Sequence, residues 1–200
     1  MKYTITALAL VGAVFAGACP KPSPSPTPSP TPEGPSYFGV ISARSASPIH
    51  LRALTARGGK FYLGGPGPSS YCPVAQVGAA CPPGNETVLA GGYKTLSLGV
   101  IVPGGQQVYV APDGALSYTG AHSAYIPPGS IVDGFSREAP AAGAQFGVLN
   151  FDTGFVACPA AAADQGYQVF GQVDGATFGD GCLGFNALAV AGDKPGAWQY

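Results

Sequence analysis

Charge is scarce in this chain. Lys, Arg, Asp and Glu together make up 10% of its 200 residues, and the net charge is −1. Soluble domains usually carry about 25%. Without a basic stripe the chain offers no electrostatic footprint for nucleic acid or for an anionic membrane. Histidine is also sparse. His50 and His122 have no histidine, cysteine or aspartate partner at metal spacing, and no C-x-x-C pair occurs. A zinc site and any other resident cofactor are therefore not expected. No glycine-rich segment has the Walker or Rossmann pattern.

Catalytic constellations are weakly supported. His122, Ser130 and Asp133 are the residue types of a hydrolytic triad, but no G-x-S-x-G elbow surrounds Ser130. A carboxylate pair for glycoside hydrolysis would come from Asp113, Asp133, Glu138, Asp152, Asp174 and Asp180. Several of these, Asp113, Asp133 and Asp174 among them, directly precede glycine, where aspartate serves turns. The Asp174–Asp180 run lacks the alternating ligands of a calcium loop. The chain reads as a non-enzyme.

What is present begins with an export signal. Lys2 precedes an apolar run, Ala7 to Ala18, that ends in small residues. Charge, apolar run and small residues in that order read as a signal peptide over 1–18. The run is shorter than the roughly 20 residues of a membrane span, so no membrane association is expected after cleavage. Cys19 directly follows Ala-Gly-Ala, which leaves lipidation there as a minority alternative. Residues 19–35 form a linker in which proline alternates with Ser and Thr. Proline fixes φ and donates no hydrogen bond, so this segment reads as a disordered or polyproline II stalk with O-glycosylation sites. Residues 191–200 are short and polar, with no hydrophobic tail for a GPI anchor.

Residues 36–200 have a different texture. Gly and Pro recur between short runs of Val, Ile, Leu, Phe and Tyr, and no window shows a helical stripe. The expectation is an all-β domain, a single compact sandwich or barrel of short antiparallel hairpins. The clearest hairpin is Gln107–Val110, Pro112-Asp113-Gly114, Ala115–Tyr118. Phe146–Phe151, Asp152-Thr153-Gly154, Phe155–Ala157 has the same form, and Tyr167–Val173 before Asp174-Gly175 is a weaker copy. Further strands are expected at Phe38–Ala43, Lys60–Leu63 and Leu96–Val102. Ala139–Ala144 and Ala160–Ala163 read as loops, the second alternatively as one helical turn.

Cys72, Cys81, Cys158 and Cys182 form an even set in an exported chain, which points to two disulfides. Three connectivities exist. Local closure favours Cys72–Cys81 and Cys158–Cys182, the shorter loop being worth about 3 kcal/mol. Asn85-Glu86-Thr87 is an N-glycosylation sequon, which marks Asn85 as a modification site in a eukaryotic secretory route. Cations gather early (Arg44, Arg52, Arg57, Lys60) and acids late (Asp152, Asp164, Asp174, Asp180). These either neutralise each other in one fold or give a bipolar surface for a charged polymer. Tyr109 and Tyr118 flank the clearest hairpin, where cross-strand packing is the favoured role and glycan contact the alternative.

Several segments resemble a known family. Tyr37-Phe38-Gly39-Val40-Ile41-Ser42-Ala43-Arg44-Ser45, then Ser47-Pro48-Ile49-His50, is similar to the start of the mature domain in fungal secreted cell-wall proteins of the PhiA type, also described as IgE-binding antigens. The hairpin Gln107–Tyr118 and Ala157-Cys158-Pro159 fit the same layout, and the resemblance runs from Ser36 to about Val190. It implies a structural glycoprotein of a fungal wall or surface, linked to asexual development such as conidium formation, without catalytic residues. Cell-wall polysaccharide is the candidate partner. A glycan-binding module, or an effector that binds a foreign protein, is the alternative.

Overall fold

The structure, a computed structural model, describes residues 37–200. The expected signal peptide over 1–18, Cys19 and the expected linker over 19–35 lie outside the described residues. Among the described residues, eleven strands make up most of the regular structure. They are β1 (Tyr37–Ala43), β2 (Leu54–Arg57), β3 (Lys60–Leu63), β4 (Leu89–Leu98), β5 (Gln107–Val110) and β6 (Leu116–Tyr118), then β7 (Phe135–Glu138), β8 (Gly147–Phe151), β9 (Phe155–Pro159), β10 (Tyr167–Gly171) and β11 (Leu183–Ala191). One helical turn, α1 (Val74–Val77), lies between β3 and β4. The expected all-β architecture is what forms.

All strands join one sheet in the order β1-β11-β8-β7-β4-β5-β6-β3-β10-β9, with β2 paired to β3. Every ladder is antiparallel. Two additional pairings, β11 with β9 and β1 with β4, return the sheet on itself as a barrel. Strand β11 makes this closure possible by serving three partners. Its Asn186–Ala191 pair with β1, Ala187–Ala189 also with β8, and Leu183–Phe185 with β9.

Strand β4 changes partners in a similar way. Leu89 and Ala90 pair with β1, Tyr93 and Lys94 with β7, and Leu96 and Ser97 with β5. The kink that permits this has positive φ at Gly91, Gly92 and Lys94. At Gly92 a Cβ would stand 2.7 Å from the Cβ of Arg137, so glycine is required there for space as well as for conformation.

The Gln107–Tyr118 hairpin forms as its turn chemistry dictates. Gly114 has φ +86°, the Asp113 carboxylate accepts the Ala115 amide at 3.0 Å, and Gly114 N–H bonds Ala111 carbonyl at 2.8 Å. The second expected hairpin does not form. Strands β8 and β9 are both antiparallel to β11, so they run in the same direction. The Asp152-Thr153-Gly154 turn loops out and the chain resumes its course. Phe151 and Phe155 remain buried on the core side, with ring centroids 6.1 Å apart. A reversal would forfeit that burial. The third copy, Tyr167–Val173, forms no hairpin across Asp174-Gly175 either. Strand β10 instead reverses on β9, in register from Tyr167↔Pro159 to Gly171↔Phe155. The expected strand at Leu96–Val102 is displaced toward the N-terminus. Gly99 ends it, where a Cβ would meet Val88 Cγ1 at 2.8 Å, and Val100 bridges to Ala197 instead. Ala139–Ala144 is a loop, and a 3-10 turn occupies Ala163–Gln165.

Alternating strand positions fill the barrel. Phe38, Phe61, Leu63, Leu89, Leu96, Phe135 and Leu149 are all essentially inaccessible. The central space lined by Val40, Leu54, Phe61, Leu96, Leu149 and Val169 amounts to about 10 Å³. That is room for one water at most. This interior is a packed core.

Polar side chains are buried as well, and Gln106 is the largest that is essentially inaccessible. Gln106 is 1% exposed. Its amide donates to the carbonyls of Thr119 (2.9 Å) and Tyr200 (2.8 Å), and its Oε1 accepts the Tyr200 N–H at 2.8 Å. Together these bonds tie the segment ending at Tyr200 to the barrel. Gln106→Leu keeps the volume and leaves these groups unpaired. It is expected to lower unfolding free energy by about 2–3 kcal/mol, read as a reduced urea midpoint at unchanged slope.

Candidate functional site

A cleft beside β1 has a volume of about 510 Å³. One wall is the Gly64–Pro68 loop and the other is Asn85–Val88. Parts of β1 and the end of β11 form its floor, and Leu51–Thr55 borders it. A smaller hollow of about 100 Å³ continues from Asn85, Glu86 and Val88 to Gly192–Gly196.

Each wall is fixed by a buried polar side chain. Arg57, at the end of β2, donates to the carbonyls of Gly64 (3.3 Å), Pro66 (2.9 Å) and Gln165. Its guanidinium also lies 3.9 Å from the centre of the Tyr62 ring. Desolvation lowers the Arg57 pKa, opposed by Tyr62 and Asp164. Gly65 must be glycine beside this arginine, because a Cβ would come 2.6 Å from the Gln165 carbonyl and 2.8 Å from the guanidinium.

The opposite wall is held twice. The Thr87 hydroxyl accepts the Ala56 amide at 2.7 Å. The Tyr200 hydroxyl accepts the Val88 amide at 3.1 Å and donates to the Glu86 carbonyl. Burial pushes the Tyr200 phenol up to about 12, against the lowering effect of the Val88 bond.

The cleft lining is chemically plain. Its ionisable side chains are Arg52 and Glu86, and the rest is backbone, glycine, proline, Asn85, Thr55, Thr87 and aliphatic residues. That supplies hydrogen-bonding groups and one charge of each sign, suited to contact with a neutral polar molecule. The triad residue types are not assembled, since Ser130 Oγ has no hydrogen-bond partner. His50 accepts a bond from the Arg44 amide at 3.3 Å. Among the described residues no cluster of His, Cys, Asp and Glu could hold a metal ion.

The sequence-predicted site residues are scattered over the barrel. Both disulfides form in the favoured connectivity, Cys72–Cys81 around α1 and Cys158–Cys182 between β9 and the start of β11. Asn85 is exposed at the junction of the two hollows. Tyr109 is half-buried on the outer face, where burial raises its pKa against a bond from Ser117. Tyr118 is 5% exposed and packs edge-on against Phe61 at 5.3 Å. It is a core residue and cannot stack on a glycan. The register explains the split, for Tyr109 faces Ser117 while Tyr118 faces Val108. One residue of offset puts the two rings on opposite faces. The most exposed tyrosines are Tyr93 (73%) and Tyr125 (71%). Tyr93 sits in the kink of β4, and the adjacent Gly91-Gly92 pair is the sequence signal that marks the position.

A closed antiparallel sheet with two disulfides and a filled core defines a rigid protein of an oxidising, extracellular setting. Comparison with known proteins gives the family. The model of the PhiA-like secreted protein family matches residues 38–200, and the chain belongs to that family. The match extends to Tyr200, so it includes the residue that pins the cleft wall. The chain is also 43% identical over 157 residues to an uncharacterized secreted protein of the fungus Arthroderma benhamiae (strain ATCC MYA-4681 / CBS 112371), covering 74% of this chain and 76% of the relative. No solved structure matches. The protein is a secreted protein of the fungal PhiA type.

The Tyr200 phenol carries a pH prediction. The folded state holds this proton more tightly than the unfolded chain. Its contribution is complete below about pH 10 and is lost as pH rises through about 12. Two pH units correspond to about 2–3 kcal/mol. Urea midpoints measured across that window should fall in the wild type. Tyr200→Phe should start about 1 kcal/mol less stable at pH 8 and fall less steeply.

Proposed function

We propose that the protein is a non-enzymatic structural glycoprotein of the fungal cell wall or surface, serving asexual development such as conidium formation. The observation that carries this reading is the filled barrel, whose residual space of about 10 Å³ leaves the outer surface as the working part. Membership of the PhiA-like secreted family supplies the compartment. The two disulfides suit long service outside the cell. Loop-closure entropy assigns about 2.7 kcal/mol to Cys72–Cys81 and about 3.5 kcal/mol to Cys158–Cys182.

A second reading, contact with wall polysaccharide, draws support from Tyr93 and Tyr125. Both rings are largely exposed, and an exposed tyrosine offers a face to a sugar ring and a hydroxyl to its edge. Tyr125 lies close enough to Tyr109 for the two phenols to influence each other.

Fractionation of the producing fungus tests the first reading. The protein should be found in the washed wall fraction, and a deletion strain should show altered conidium formation. Recovery from the medium alone would overturn it. For the second, the protein should be retained on chitin or β-glucan, and Tyr93→Ala with Tyr125→Ala should abolish retention. Absence of retention at any salt concentration would end that reading.

A further inference from the structure

We infer that Asn85 carries an N-linked oligosaccharide and that it is attached before the barrel closes. This rests on reading the chain as a secreted glycoprotein and names its site and timing. The acceptor amide and the hydroxyl that qualifies it as an acceptor have opposite fates in the fold. Asn85 is exposed, with open space on both sides along the two hollows. A bulky polar group there meets no obstruction. Thr87, two residues on, is 7% exposed, and its Oγ1 is occupied by the amide of Ala56, itself fully buried.

The N-x-Ser/Thr requirement means that the transferase must reach the +2 hydroxyl together with the asparagine. In the folded protein that hydroxyl faces the barrel. The Asn85–Val88 segment is also held by the Tyr200 hydroxyl at Glu86 and Val88. It cannot be drawn into an extended chain without releasing Tyr200. Modification therefore belongs to the unfolded chain as it enters the secretory lumen.

The donor is a lipid-linked oligosaccharide pyrophosphate. Asn85 Nδ2 forms a bond to the anomeric carbon of the terminal sugar and loses one proton. The bond from that carbon to the pyrophosphate oxygen breaks, and the lipid pyrophosphate leaves with its electron pair.

Thr87 thus serves twice, first as the qualifying hydroxyl and then as the acceptor that fixes the cleft wall. The two roles separate by substitution. Asn85→Gln should remove the glycan and leave thermal stability near that of the unmodified protein. Thr87→Ser should retain both. Thr87→Val should lose the glycan and also lower the melting temperature, because the Ala56 amide is left without a partner.

The site is tested on full-length protein secreted from a eukaryotic host. Peptide mass after amidase treatment should show Asn85→Asp conversion. An unmodified Asn85 overturns the proposal. Sugar found only elsewhere on such a chain leaves the glycoprotein reading standing, whereas a sugar-free chain removes both.

The timing is tested on unglycosylated, disulfide-bonded protein incubated with microsomal transferase and lipid-linked oligosaccharide. The folded form should be modified at least about tenfold more slowly than the reduced, unfolded form, since it reacts only through local opening. Equal rates would overturn the assigned order of events.

Discussion

The pairing of β11 with three different strands is the constraint on which the molecule rests. Antiparallel sheets have edges, and exposed edges recruit other chains. This chain has few charges with which to guard them. By joining β1, β8 and β9, β11 turns the two ends of the strand order toward each other. The kink at Gly91-Gly92 in β4 serves the same end, because it lets one strand leave β1 and continue to β7 and β5. Closure in turn commits the interior to side chains. The chemistry available to the protein is therefore displaced to its surface and loops.

The cleft illustrates how that surface is made rigid. Its walls come from segments far apart in sequence. Arg57 gathers carbonyls from two loops, and Tyr200 and Thr87 pin the other wall against the barrel. Polar side chains bonded to backbone are effective here, because irregular loops present carbonyls and amides that no ladder satisfies. The consequence is a shaped recess in a protein whose loops contain many glycines.

Legibility in the sequence followed the range of the interactions. Lys60–Leu63 and Gln107–Tyr118 are bounded by turn residues that act within a few positions, and they appear where local chemistry places them. The disulfides were readable for the same reason, since both close short loops. Asp152-Thr153-Gly154 uses the same turn alphabet, yet the chain does not reverse there. What decides the outcome is β11, far downstream. Which of Tyr109 and Tyr118 turns outward depends on a single position of register, set by how the connection from Ala111 to Ala115 is closed. The cleft was not readable at all. Its residues come from well-separated stretches of chain, and the roles of Arg57, Gln106 and Tyr200 exist only once those stretches meet.

The way the arginines are used has a consequence for the medium such a protein meets. Arg44 donates to the Gly184 carbonyl at 2.7 Å, Arg52 to the Pro48 carbonyl at 3.4 Å, and Arg57 to three carbonyls. A carbonyl oxygen, unlike a carboxylate, does not take up a proton as the surroundings acidify. Arginine stays charged throughout that range. These anchors therefore persist when external acid would neutralise the partners of ordinary ion pairs. For Arg44, Arg52 and Arg57, the choice of a carbonyl acceptor thus removes any need for an ionised partner.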